Sequence, residues 1–176
     1  MSRRRLSLYL HPYTFDHSSP VRSPELEEPI PLYLLPLKPE ERECIYFWAK
    51  AYRAHDRIWL DSGTLEMRAW RELADPRSNL ARQGRKNCAG IENATGKPTY
   101  YYLERYYAHR SGEELRPCPL CGRRWAVRSL EEPGTGFSDF FFRCKRCRLV
   151  SGLGDSLEGS RLARIGEFPG KSKRRV

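Results

Sequence analysis

The chain has 176 residues, 39% hydrophobic and 12% aromatic, which is enough apolar material for a packed core and excludes wholesale disorder. That length holds one ordinary domain plus a small satellite. There is no run of 18 apolar residues, and Leu6 to Leu10, after the opening arginines, is broken by Ser7 and closed by His11-Pro12, too short for a signal-peptide core; the chain is expected to be cytoplasmic, without a membrane partner.

Taken in order, Arg3-Arg4-Arg5 is followed by the alternating Leu6-Ser7-Leu8-Tyr9-Leu10, which predicts a strand. His11 to Pro20 is rich in turn residues, and neither His11 nor His17 has a ligand pair nearby in sequence. Val21 to Pro29 reads as an acidic loop carrying Glu25, Glu27 and Glu28. Pro31-Leu32-Tyr33-Leu34-Leu35-Pro36 is expected to be a second short strand beside the first, with proline at both ends as an edge would have.

Three helices should follow. Pro39-Glu40-Glu41 opens the first, with proline in the opening turn and acids against the positive end of the dipole. Ile45, Trp48, Tyr52, His55 and Trp59 recur at three- and four-residue steps and form its core face. His55, Asp56 and Asp61 are the one acid–base grouping worth weighing, and charges at a helix end are usually solvated. Thr64 to Ala74 predicts a second helix with Leu65, Ala69 and Leu73 inward. Ser78 should cap a third, lined by Leu80, Gly84, Cys88 and Ile91, with Arg82, Arg85 and Lys86 on its other side. Cys44 and Cys88 are expected to be buried small hydrophobes. Thr99 to Tyr107 then reads as a tyrosine-rich strand whose side chains populate both faces.

The last third carries the strongest motif. Cys118-Pro119-Leu120-Cys121-Gly122 is answered, 22 residues on, by Cys144-Lys145-Arg146-Cys147. Two Cys-x-x-Cys pairs each put two thiolates on one tight turn, and two such turns at the ends of a hairpin complete a tetrahedral site of four sulfurs. Trp125 to Leu130 and Phe137 to Phe142 are the expected hairpin strands, with Glu131 to Gly136 as the turn. Pro119 fixes one φ in the first knuckle, and Gly122 supplies the left-handed residue after it. The expected cofactor is one structural Zn2+ held by Cys118, Cys121, Cys144 and Cys147, because four protein ligands leave no position for water or substrate. Disulfides would need an oxidising compartment, and neither pair opens a helix after a strand as a redox Cys-x-x-Cys does.

The net charge of +10 is unevenly placed. Residues 1–75 carry 11 Lys/Arg against 12 Asp/Glu, and residues 76–176 carry 21 against 10. Arg123, Arg124, Arg128, Arg143, Lys145, Arg146 and Arg148 fall on the cysteine knuckles and their strands, beside Trp125 and Phe140 to Phe142. Strand alternation puts Arg124 and Arg128 on one face and Trp125 and Val127 on the other. With Arg82, Arg85 and Lys86, these are the candidate contacts to nucleic-acid phosphates and unstacked bases.

Several stretches together resemble a family of uncharacterised bacterial proteins described as zinc-ribbon-containing and candidate nucleic-acid-binding. They are Pro31 to Pro36, Trp48 with Tyr52 and Asp56, Arg82-Gln83-Gly84-Arg85, Thr95-Gly96-Lys97-Pro98-Thr99-Tyr100-Tyr101-Tyr102-Leu103, and the two cysteine pairs with Arg148-Leu149. The resemblance covers roughly residues 6–153 and implies zinc, a bacterial cytosol and no established activity. A further cysteine pair that it would place near residues 22–27 is replaced here by Arg22-Ser23-Pro24-Glu25-Leu26-Glu27, so no second metal site is expected.

The expected protein is of the α+β class. Residues 1–108 form a mixed domain of short strands and three helices, 109–155 a zinc ribbon, and 156–176 a basic tail. DNA or RNA is the expected partner, and a cognate protein docked on the ribbon is the alternative. No His-Glu-x-x-His, phosphate loop or nucleophile elbow is present, so neither an enzyme nor a small-molecule substrate is expected.

Overall fold

A strand, a two-residue partner, three helices and three further strands follow one another in a computed structural model that describes residues 7–24, 26, 28–104, 112–127 and 140–153. Strand β1 (Leu8–Leu10) pairs antiparallel with β2 (Val21–Arg22), and the chain then crosses over through helices α1 (Pro39–Asp61), α2 (Glu66–Ala74) and α3 (Asn79–Thr95). It returns as β3 (Thr99–Tyr102), parallel to β1 with Tyr9 opposite Tyr100. The last two strands, β4 (Phe142–Cys144) and β5 (Leu149–Ser151), are antiparallel to each other, and β5 lies parallel to β3. The sheet order is β2-β1-β3-β5-β4. Three parallel strands form its middle and a short antiparallel strand closes each edge, which limits exposed backbone.

Each helix begins and ends for a local reason. The Glu41 carboxylate accepts from the Lys38 amide at 2.8 Å, and Pro39 occupies the first turn of α1, where its missing N–H costs nothing. Gly63, at φ +57°, lets the chain turn away beyond it. Ser78 caps α3 by accepting from the Ala81 amide at 3.0 Å, and its hydroxyl donates to the Glu72 carbonyl at 2.7 Å, fastening α2 to α3.

Alternation along the strands sorts side chains to two faces. Leu8, Leu10, Tyr101, Leu103 and Leu149 join the main core with Trp48, Tyr52, Trp70, Leu73 and Ile91 from the helices. Tyr9, Tyr100 and Val150 form a second buried cluster on the other face, with Tyr102 and Phe140 packed against it. The tyrosines of β3 therefore do divide between two faces, as their spacing implies. Burial is closest where α3 meets β3: a Cβ on Gly84 would overlap the Tyr101 ring and come within 3.0 Å of Trp48.

Several expectations change. Residues 31–36 are not a strand. Leu32–Leu34 is a 3-10 turn closed by Leu34 and Leu35 amides on the Pro31 and Leu32 carbonyls, and Val21–Arg22 takes the place beside β1. Those local bonds satisfy the backbone without a strand partner, and Leu35 and Leu37 can then drop into the core. Leu65 precedes α2 and is exposed, and Trp70 is the large residue that helix buries. Cys88 is buried as expected, whereas Cys44 is exposed on α1. The strand expected over 99–107 ends at Tyr102, with Leu103 and Glu104 beyond it, and 105–107 lie outside the described residues. Arg3 to Arg5, Glu25, Glu27, Tyr106, Tyr107, the segment 128–139 and the basic tail lie outside the described residues.

His55 does not join Asp56 and Asp61 in a site. Its Nδ1 sits 2.8 Å from the Ala51 carbonyl oxygen in its own helix, and Asp61 is exposed. Asp56 instead faces Glu104, beyond the end of β3. Glu104 accepts from the Tyr52 hydroxyl at 3.1 Å and lies 3.4 Å from His11 Nε2, and His11 stacks on Tyr102 at 4.0 Å.

Two measurements test this packing. Gly84→Ala should destabilise the fold by roughly 1–3 kcal/mol in denaturant unfolding, because an added methyl has no room against two rings. Burial, reinforced by the Glu104 charge, pushes Asp56 up to about 7. The folded state thus holds a proton that the unfolded chain releases near pH 4, so this contribution to stability declines as pH rises from there through about 7. Asp56→Asn should flatten that decline and be the more stable form above pH 7, by about 1–2 kcal/mol after allowing for the residue's partial exposure. Parallel pH–stability curves for the two proteins would contradict it.

Candidate metal centre

The four cysteines lie in the connection between two parallel strands, β3 and β5. The first knuckle is a tight turn: the Gly122 amide donates to the Cys118 carbonyl at 2.9 Å, the Cys118 amide to the Arg123 carbonyl at 2.8 Å, and Gly122 has φ +69°. The second begins with Cys144 as the last residue of β4 and passes through Cys147 to Arg148, at φ +51°. The two turns thus place a left-handed residue at the same step after the second cysteine. In the second it is an arginine, where glycine would be unstrained.

Behind the knuckles, the Arg143 amide donates to the Trp125 carbonyl at 2.7 Å and the Val127 amide to the Phe141 carbonyl at 2.8 Å, framing an antiparallel bridge between Ala126 and Phe142. The described ends of the two expected strands therefore do pair; the rest of that expected hairpin, 128–139, is outside the described residues. Trp125 stacks on Phe142 at 4.8 Å and donates its indole N–H to the Arg116 carbonyl at 3.0 Å. Trp125, Phe141 and Phe142 belong to the same core as the helices. They are packing, not reachable stacking surface, and Val127, placed by alternation with Trp125, is exposed.

The four sulfurs all lie within 4.8 Å of one another, with Cys121 and Cys144 at 3.6 Å. A tetrahedron with metal–sulfur bonds near ~2.3 Å has edges of ~3.8 Å, so the set fits one ion. That separation stands well beyond the ~2.05 Å of a disulfide, and the six cysteines are free thiols. Cys118 and Cys144 are buried; Cys121 and Cys147 are partly exposed. The Arg123 amide N–H, directed at its sulfur, holds Cys121 down to about 7, whereas burial pushes Cys118 up to about 11 and raises Cys147 further. An incoming cation therefore displaces protons from the buried thiols as it binds.

Helix α3 supports the centre from behind. Its Arg85 interacts electrostatically with Cys147, and Arg148 pairs with Glu92 of the same helix at 3.3 Å. Arg85 also donates to the Pro76 carbonyl. These two arginines, both expected among phosphate contacts, are committed within the fold. The other described candidates, Arg82, Lys86, Arg123, Arg124, Arg143, Lys145 and Arg146, are exposed, and Arg128 lies outside the described residues. The sequence signal for Arg148's role is slight: it stands where the first knuckle has glycine.

Because β5 begins two residues after Cys147, metal binding should reach the centre of the sheet. The chain should take up one divalent ion and gain several kcal/mol of stability; Cys144→Ser should abolish uptake and speed hydrogen exchange at the Tyr101 and Leu103 amides, which bond to the Arg148 and Val150 carbonyls. Unchanged protection at those amides would show that the centre is mechanically separate from the sheet.

The comparisons agree with an uncharacterised bacterial grouping. Two family models match, one described as "Domain of unknown function (DUF2310)" over residues 4–104 and one as "Domain of unknown function (DUF8594)" over residues 108–156. Two relatives from Haemophilus influenzae, each described as an uncharacterized protein, are 37% identical over 137 residues, 77% of this chain. The match spans 65% of one relative's length and 51% of the other's. No solved structure matches. Among the described residues no helix is long and apolar enough to cross a membrane. With more than half its length under the first model, the chain belongs to the DUF2310 domain family.

Proposed function

We propose that the four cysteines hold one structural Zn2+ in a ribbon-like module, and that the exposed cations around it engage the phosphate backbone of DNA or RNA. Four thiolates in tetrahedral reach favour zinc among the available divalent ions. They also close its coordination sphere, which supports a binding role rather than catalysis. Free thiols in a metal-binding arrangement suit a reducing compartment such as the cytoplasm.

The observation that carries the reading is the state of five cations on and beside the knuckles. Arg123, Arg124, Arg143, Lys145 and Arg146 are all exposed, and no ion pair to any of them is found among the described residues. They surround a centre whose own loaded charge is about −2, so they decide the sign of the local field. Arg82 and Lys86 on α3 extend the candidate surface. With Trp125, Phe141 and Phe142 buried, the contact is to phosphates rather than to stacked bases.

Affinity for a mixed-sequence nucleic acid should fall steeply with salt, and Arg123→Glu with Lys145→Glu should weaken binding similarly on every sequence. The slope of log affinity against log salt should shrink by about one per lost phosphate contact. A metal-loaded protein retained by neither DNA nor RNA at low salt would refute the reading.

A further inference from the structure

Strands β1 and β3 run parallel, so the residues that follow them emerge at one edge of the sheet, the edge at which open sheets of parallel strands bind ligands. His11 comes directly after β1 and Glu104 two residues after β3, and α1 brings Tyr52 and Asp56 to the same place. The His11 ring is stacked on Tyr102 at 4.0 Å and stands edge-on to Tyr13 at 4.6 Å. The His11 and Glu104 side chains are 14% and 17% exposed, and Asp56 and Tyr102 are half-buried. The group is set into the surface and still open to solvent.

Its hydrogen-bonding capacity is one-sided. The Tyr52 hydroxyl donates to Glu104 Oε2 at 3.1 Å, and His11 Nε2 lies 3.4 Å from the same oxygen. Those contacts tie β1, β3 and α1 together, but they use only one oxygen of the two carboxyl groups. Among the described residues, Glu104 Oε1 and both Asp56 oxygens have no hydrogen bond. The Tyr101 hydroxyl is buried without a partner, and Glu104 is the described charge that acts on it most. Acceptors are in surplus, and ionised carboxylates cannot donate to one another.

No described lysine or arginine answers them. Arg53, one turn before Asp56 on α1, donates to the Tyr13 and Ser18 carbonyls at 3.2 and 2.6 Å, and Arg22 pairs with Asp16 at 2.7 Å. Neither Asp56 nor Glu104 has a Lys or Arg ion-pair partner among the described residues. Two facing carboxyls without a counter-cation cannot both ionise freely, which is why burial and the Glu104 charge keep Asp56 protonated up to about 7. A metal ion is the poorer match, since among the described residues the cysteines are the only gathering of three or more metal-ligating side chains. A cationic group with several N–H donors supplies both the charge and the donors that are missing, and the His11–Tyr102 stack gives it an aromatic wall.

We propose that this edge of the sheet binds a small organic cation, with its ammonium or guanidinium group between Asp56 and Glu104 beside the His11–Tyr102 stack. The site is separate from the cysteine centre and independent of the reading given for it.

The metal-loaded full chain, titrated with butylammonium and with agmatine, should show saturable shifts of the Tyr102 and Glu104 amide NMR resonances, and neutral butanol at the same concentrations should not. Binding should displace the Asp56 proton. Affinity should therefore rise about tenfold from about pH 6 to about pH 8, and calorimetry in two buffers should detect proton release near pH 7. Protonation of His11 would act in the same direction, so Asp56→Asn separates the two: it should remove most of that rise and weaken binding at about pH 8 by roughly tenfold. Glu104→Gln should weaken binding as well. Shifts that never saturate, equal binding of butanol, or an Asp56→Asn protein with unaltered affinity and pH profile would each overturn the proposal.

Discussion

The structure depends on two backbone hydrogen bonds, from the Tyr101 amide to the Arg148 carbonyl and from the Leu103 amide to the Val150 carbonyl, each 2.8 Å. They set β5 beside β3. Without them the chain would be a helical layer on a three-stranded sheet with a cysteine module attached by a linker. With them, the strand leaving the second knuckle becomes an interior strand of the sheet on which all three helices pack. Backbone pairing in a buried place is all-or-none, because an amide that loses its partner there does not regain water. Order in the cysteine turns is therefore communicated to the core.

Side chains secure that junction. Arg148 occupies a conformation that costs a non-glycine residue about 1 kcal/mol or more, and the fold keeps it there with the Glu92 carboxylate and with the ladder its own carbonyl joins. Arg85 offsets charge at Cys147 from the same helix. Trp125, buried against Phe142 and bonded to the Arg116 carbonyl, is the apolar plug between the knuckles and the core. The aromatic residues are thus spent on cohesion, and the surface around the centre is left to arginine and lysine.

Sequence reasoning reached what local chemistry dictates. Two Cys-x-x-Cys turns were enough to foresee four sulfurs gathered within reach of one ion. Ser78, Gly84 and Ile91 announced α3 through a cap and a spacing, and the Trp48–Trp59 face announced α1. Tertiary context decided the rest. Prolines at 29, 31 and 36 allow an edge strand or a tight turn equally well, and only the place already taken by Val21–Arg22 selects the turn. Arg85 and Arg148 look like surface cations because nothing local distinguishes a cation facing solvent from one paired to a residue 56 positions away in sequence, as Arg148 is to Glu92. The His11–Tyr52–Glu104 contact joins three distant stretches of the chain and left no trace in spacing.

The chain order of the sheet has a consequence for biosynthesis. The strand that fills the gap between β3 and β4 is the last of the five to be made. As the polypeptide leaves the ribosome, β1, the helices and β3 can assemble first, but one side of β3 then waits for residues 149–151. At about 5–20 residues per second that interval lasts roughly two to ten seconds, during which a tyrosine-rich strand edge is open to any neighbour. Capture of an ion by the four thiols, complete only once Cys147 is made, would then hasten the docking of β5, so metal supply would act on the yield of correctly folded product as well as on its final stability.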